Sequence, residues 1–169
     1  MPKAVVRPRK THDLSEAATI LTAVHELDGY PVEGVEDPQA WLSPEGLLAA
    51  WVAELDGRVV GHVAINSPQP EEEPARLWRE KSGEYDSRIG VLARLFVARE
   101  ARKEAVGKHL MEAATAYARE TQLRLVLEVL TKDAAAIRLY ERLGWQRIGE
   151  ALHTFGGKQV DAVCFVAPA

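Results

Sequence analysis

Residues 89–109 read IGVLARLFVAREARKEAVGKH, and the organisation of the whole chain can be built outward from them. Ile89 to Val97 is an apolar run that predicts a strand. The polar turn Ala98–Glu104 follows. From about Val106 the spacing predicts a helix whose buried face is Leu110, Met111, Ala114, Tyr117, Ala118 and Thr121. A strand passing through a turn into a helix brings several unpaired N–H groups and the positive end of a helix dipole to one place. Ala105 and Gly107 are small, so an anionic ligand could approach the backbone closely. Between Arg88 and Lys108 there are six basic and two acidic residues, a net of +4 inside a chain whose formal charge is −4. The dipole contributes roughly 0.3–1 kcal/mol toward a bound anion, and charge-assisted hydrogen bonds add to it. The backbone of Arg102, Lys103, Glu104, Ala105, Val106, Gly107 and Lys108 is therefore a candidate phosphate cradle. The competing reading is a basic helix start that only solvates itself. Two better-known phosphate loops are excluded. A P-loop requires glycine where Arg102 stands and Ser or Thr where His109 stands, and a dinucleotide fingerprint requires three glycines where only Gly107 is present.

Downstream, Leu123 to Leu130 is a nearly continuous apolar stretch, predicted as a strand buried on both faces. Asp133 can cap a helix running to Leu143, which Gly144 stops. Trp145–Glu150 and Val160–Val166 are two closing strands. Upstream, Val5 to Pro8 opens a first strand. Ala17, Ile20, Leu21, Val24 and Leu27 predict an amphipathic helix over 13–27, ended by Asp28-Gly29. Ser43-Pro44-Glu45 predicts a second helix over 43–49. Asp56-Gly57 between Trp51–Leu55 and Val59–Ile65 predicts a hairpin. Residues 66–87 hold Pro68, Pro70 and Pro74 and a short helix around 75–81, and are expected to form a mobile insertion. The order is β-α-α-β-β-insertion-β-α-β-α-β-β, a mixed α/β chain around one sheet.

With 169 residues, 47% of them apolar, the expectation for 1–169 is a single domain that removes about 70% of its unfolded surface from water. The charge balance of 21 basic against 25 acidic residues argues against general nucleic-acid binding. Cys164 stands alone, and the five histidines (His12, His25, His62, His109, His153) lack zinc-site spacing, so no metal is expected. The basic start MPKAVVRPRK has no apolar stretch after it, and no run approaches the roughly 18 apolar residues of a membrane span. These features point to a soluble, cytoplasmic protein. The exposed edges of the closing strands suit a homodimer.

Arg102-x-x-Ala105-x-Gly107 resembles the Arg/Gln-x-x-Gly-x-Gly/Ala acetyl-CoA loop of the GNAT N-acetyltransferase superfamily. Leu95-Phe96-Val97 is similar to the strand whose backbone pairs with pantetheine there. Asp133-x-x-Ala136-Ile137-x-Leu139-Tyr140-Glu141-x-Leu143-Gly144-Trp145 resembles the second motif, Asn-x-x-Ala-x-x-Leu-Tyr-x-x-x-Gly-Phe. The motifs fall in the family's order and cover about residues 89–147. The resemblance implies a mixed, mostly antiparallel central sheet flanked by helices. It also implies acetyl-CoA as co-substrate and direct transfer of acetyl to a small-molecule or peptide amine. Asp133 and Ala136 would then face the cofactor arm. Two departures stand out. Ala105 replaces the first glycine, requiring a negative φ or a small local strain, and Asp133 replaces asparagine, where it can serve as an N-cap alone.

Acetyl transfer needs a neutral amine, donors for the developing oxyanion and a proton for the departing thiolate. A lysine-like amine of pKa about 10.4 is neutral about once in a thousand at pH 7.4, costing about 4 kcal/mol; a peptide N-terminus costs under about 1 kcal/mol. Glu128 is the candidate base. It interrupts Leu125–Leu130 on the face shared with Val126 and Leu130, where desolvation raises a carboxylate's pKa. Its alternative is a strand-end glutamate paired to Arg94 or Arg124. Leu-Glu-Val followed twelve residues later by tyrosine resembles ribosomal-protein N-terminal acetyltransferases. Tyr140 is expected to be buried with its hydroxyl reaching outward; the resemblance implies that it protonates the thiolate, and its alternative is a core tyrosine. Backbone N–H groups near Phe96 and Val97 would hold the oxyanion. Cys164 reads as core. The acidic stretch 26–38 falls where the family lines its substrate, which suits a cationic amine. Two other classes compete with the enzyme: a non-catalytic acyl-CoA sensor, and a protein-interaction module with a degenerate cofactor loop.

Overall fold

The computed structural model describes residues 4–31 and 34–169, with the side chains of Lys103, Glu104 and Phe155 outside that set. Seven strands form a mixed sheet in the order β1-β2-β3-β4-β5-β7-β6. They are β1 (Val5–Pro8), β2 (Leu47–Leu55), β3 (Arg58–Asn66), β4 (Ile89–Val97), β5 (Arg124–Leu130), β6 (Gln146–Phe155) and β7 (Lys158–Val166). The helices are α1 (Asp13–Asp28), α2 (Pro38–Leu42), α3 (Glu73–Ser82), α4 (Val106–Glu120) and α5 (Ala134–Arg142). Contacts divide the chain into two compact units, Met1–Ile65 with Arg94–Ala114 and Asn66–Ala93 with Thr115–Ala169. Among the described residues no helix is long and apolar enough to cross a membrane, and no group of three or more His, Cys, Asp or Glu side chains is arranged to hold a metal.

In the first unit β1 runs antiparallel to β2, with Val5 opposite Glu54 and Pro8 opposite Trp51. The β2–β3 hairpin turns on Asp56 (φ 53°) and Gly57 (φ 76°), the two left-handed residues that a tight twisted hairpin requires. Helix α1 buries Ala17, Ala18, Leu21 and Val24 against Leu42, Val52, Val59 and Phe96. Its start is fixed by Asp13, only 2% exposed, which accepts two bonds from Arg7 at 2.8 and 2.9 Å and one from Lys10 N at 2.7 Å. That pairing pulls the Asp13 carboxyl down to about 2.

The predicted helix over 43–49 does not form. Helix α2 lies at Pro38–Leu42, where the Asp37 side chain accepts from Ala40 N at 3.1 Å and Pro38 takes the first helical position. The Ser43 hydroxyl that would have capped the later helix instead accepts from Arg9 at 2.9 Å. Leu47 onward then joins β2 and its ladder.

The second unit carries the start of β4 beside β5 in parallel, Ile89 opposite Arg124 and Val91 opposite Val126. Antiparallel β7 and β6 follow. The closing strands are longer than predicted because Gly156 (φ 51°) and Gly157 (φ 76°) make a two-residue turn that keeps β6 paired to Phe155. Helix α3, from the 66–87 segment, packs on β5, β6 and β7. Its Ala75 joins a core with Ile89, Val91, Val126, Ile148, Cys164 and Val166, against which Leu77 and Trp78 pack. A Cβ at Gly149 would meet Leu77 Cδ1 at 2.8 Å, so glycine there admits the helix. The predicted turn 98–104 winds into a 3-10 segment at Arg99–Glu104. On α4 the predicted buried face holds at Leu110, Met111, Ala114 and Ala118, whereas Tyr117 is half-buried and Thr121 is exposed. Thr121 lies beyond the helix end, with its hydroxyl donating to Tyr117 O at 2.8 Å.

Candidate active site

The turn that leaves β4 is built from the first unit. Ala98 N donates to Val60 O at 2.7 Å, anchoring the exit of the strand. After the 3-10 segment, Ala105 sits at φ 57°, ψ 25°, so it adopts the strained left-handed form rather than a negative φ. Helix α4 begins at Val106, and the bond from His109 N to Ala105 O at 3.1 Å opens its ladder. Val106, Gly107 and Lys108 thus form the first turn of α4, the part of a helix whose N–H groups in general look outside the helix for partners. Val106 and Leu110 are fully buried. A Cβ on Gly61 of β3 would meet Leu110 Cδ1 at 3.0 Å and Val106 Cγ1 at 3.1 Å, so the helix start rests directly on β3. The exposed Arg102 donates from Nε to Val97 O at 3.1 Å and pairs with Asp28 at the end of α1.

Leu95 and Val97 are half-buried and Phe96 is buried. Just before them Arg94 takes φ 56° inside the strand, a conformation a non-glycine residue rarely holds. Its Nε donates to Trp41 O at 3.2 Å and its guanidinium lies 4.6 Å over the Trp41 ring.

The second unit holds the two titratable candidates. Glu128 is a quarter exposed, opposite Cys164 in the β5–β7 register. Its partner is neither Arg94 nor Arg124: Arg124 donates to Ala167 O at 2.9 and 2.7 Å and covers the Trp78 ring. Instead Glu128 Oε2 lies 3.6 Å from His153 Nδ1. Burial raises the Glu128 carboxyl above the usual glutamate range; His153 opposes this, and the charges of Glu72 and Glu73 add to it. Cys164 is fully buried, its thiol pushed up to about 12 by burial, as suits a core residue. Tyr140 is buried, its ring 6.0 Å from Trp145 and 5.9 Å from Phe165. Burial, then the Asp133 charge, raises its hydroxyl's pKa, so it stays protonated at neutral pH. Asp133 occupies the N-cap position of α5, but its ψ of 66° departs from the extended form, and its side chain makes no capping hydrogen bond. Ala136 is half-buried on the first turn of that helix.

Residues 14–145 match the model of the acetyltransferase (GNAT) family. The chain belongs to that family. Among curated relatives, it is 35% identical over 98 residues to a probable N-acetyltransferase camello of Xenopus tropicalis, covering 57% of this chain and 38% of that protein. It is 32% identical over 133 residues to N-acetyltransferase 8B of Mus musculus, covering 78% and 51%. The chain thus spans about half or less of the length of these two relatives. The fold is shared with the ribosomal-protein-S18-alanine N-acetyltransferase of Escherichia coli (TM-score 0.72, 20% identity, 98% and 93% covered). It is shared as well with Arabidopsis thaliana NAA60 in complex with acetyl-CoA (TM-score 0.72, 22% identity, 97% of each chain covered).

Sequence reading missed His62, Arg9 and His153. His153 falls beyond the predicted end of its strand, so nothing in the sequence linked it to Glu128. His62 sits in a run otherwise buried and apolar, a signal that could have marked it as a hydrogen-bonded core histidine.

Proposed function

We propose that this chain is an N-acetyltransferase that moves acetyl from acetyl-CoA directly to a primary amine. The amine nitrogen attacks the thioester carbonyl and gives up a proton to Glu128. The oxyanion accepts hydrogen bonds from the backbone near Phe96 and Val97. The carbon–sulfur bond then breaks, and the thiolate takes its proton from Tyr140, which recovers one from solvent as Glu128 releases its own to solvent. Main-chain N–H groups from Arg102 to Lys108 would hold the diphosphate, Leu95–Val97 the pantetheine, and Asp133 and Ala136 the cofactor arm. No metal takes part in this scheme. The observation that carries the reading is Glu128: a half-buried carboxylate on an apolar strand, its pKa raised by burial, has the property a general base needs.

The acceptor is read as cationic. An open cavity of the second unit is lined by Glu73, Glu150 and Asp161, with Arg147 as its one basic lining residue among those described. β1 and β6 end the strand order, leaving edges on which two copies could pair; sedimentation tests that. Calorimetry with acetyl-CoA followed by CoA release across a panel of amines tests the enzyme itself. Binding without release for any amine favours a sensor. An interaction module shows no thermal shift, whereas acetyl-CoA at a hundred times Kd stabilises a binder by about 2.7 kcal/mol.

A further inference from the structure

His62 is fully buried at the centre of β3, and both of its ring nitrogens are engaged. Nδ1 lies 2.9 Å from Arg94 O and Nε2 lies 3.0 Å from Arg9 Nη1. A guanidinium can only donate and a carbonyl can only accept, so the ring is neutral, with its proton on Nδ1. The imidazole is stacked on Phe96, centroids 5.3 Å apart and planes 13° from parallel. The same Arg9 Nη1 donates to Leu42 O at 2.7 Å, and Nη2 donates to Ser43 Oγ. One ring thus meets the bend of β4 on one side and, through Arg9, the end of α2 on the other.

We infer that His62 is a positioning residue for acetyl transfer, its Nδ1–H holding the peptide plane between Arg94 and Leu95 in one orientation. The inference rests on the proposal that Leu95–Val97 is the cofactor-binding strand. In a trans peptide the carbonyl and the following N–H point in opposite directions. Anchoring Arg94 O on His62 therefore aims Leu95 N–H away from it and keeps the strained Arg94 bend from relaxing. The Nε2 side serves a different segment, tethering the carbonyl end of α2.

The two hydrogen bonds can be separated by isosteres. The shorter amide of His62→Asn places an N–H near the Nδ1 position, and the longer amide of His62→Gln places an acceptor near the Nε2 position. His62→Gln should raise the Kd for acetyl-CoA about tenfold, the size of one lost hydrogen bond. His62→Asn should leave that Kd within about twofold, again judged against one hydrogen bond. A merely structural histidine would move both variants together, and equal Kd values overturn the inference. Wild-type protein gives two further readouts. Imidazole ¹⁵N shifts should show the Nδ1–H tautomer at pH 7; an Nε2–H or charged ring overturns the assignment even if neither variant folds. Acetyl-CoA should slow amide exchange at Leu95–Val97. If it binds without doing so, the cofactor-strand reading fails and takes this inference with it. Protected amides with equal Kd values for the two variants sink the inference alone.

Discussion

Glu128 Oε2 lies 3.6 Å from His153 Nδ1, joining the centre of β5 to the far half of β6. This proximity sets two opposing influences on one carboxylate: burial favours its neutral form, and the histidine favours its charged form. A base must be deprotonated, so the acid limb of kcat/KM should lie above the ordinary glutamate range. Glu128→Gln should lower kcat/KM by about 10²-fold or more and remove that limb. His153→Ala takes away the stabilising partner, so the limb should move to higher pH and activity at pH 6 should fall more than at pH 8. A pH–rate profile unchanged by either substitution removes Glu128 from the mechanism.

Tyr140 makes its ring contacts with Trp145 and Phe165, and phenylalanine keeps them. Tyr140→Phe should therefore hold Tm near wild type and leave the KM for acetyl-CoA within about twofold while kcat drops about 10²-fold. Loss of activity in proportion to loss of folded protein would mark it as a core tyrosine.

Ala105 carries a Cβ at φ 57°. A left-handed alanine costs roughly 1–2 kcal/mol, and glycine returns part of that in unfolded-state entropy. Ala105→Gly should raise stability by up to about 1 kcal/mol, read from the denaturant midpoint. A loss of stability would mean that the turn is not held in this conformation.

His62 is held at about 4, against an ordinary value of 6.5. Burial is the main cause and the charges of Arg9 and Arg94 add to it, while the Arg94 carbonyl works in the other direction. The unfolded chain binds this proton near pH 6.5 and the native chain only near pH 4. Stability is therefore lost as pH falls through that window, by about 3 kcal/mol in all. Chemical denaturation at pH 7 and pH 4.5 should show a steeper decline for wild type than for His62→Asn. Parallel declines would place the acid sensitivity elsewhere.

Elements were legible in the sequence wherever a local rule had no rival. Ile89–Val97, the Asp56-Gly57 hairpin, α1 and the helix ended by Gly144 follow from periodicity and turn chemistry carried by neighbouring residues. The second helix was misplaced because Asp37-Pro38 and Ser43-Pro44 offer nearly equal starts. The helix forms at the first of them, and at the second the Ser43 hydroxyl accepts from Arg9, more than thirty residues away, as the chain runs on into β2.

By itself the sequence determined the mixed α/β order and the strand-turn-helix after β4, and it singled out Glu128 and Tyr140 as the candidates proposed here for base and acid. Tertiary structure alone decided that Glu128 answers to His153 rather than to an arginine. It also decided that Ala105 and Arg94 take left-handed backbone, and that His62 stands between Arg9 and the Arg94 carbonyl. The reason is physical: propensity and capping act over a few neighbouring residues, whereas strand register and the pairing of buried polar groups are settled only when distant segments must satisfy one another away from water.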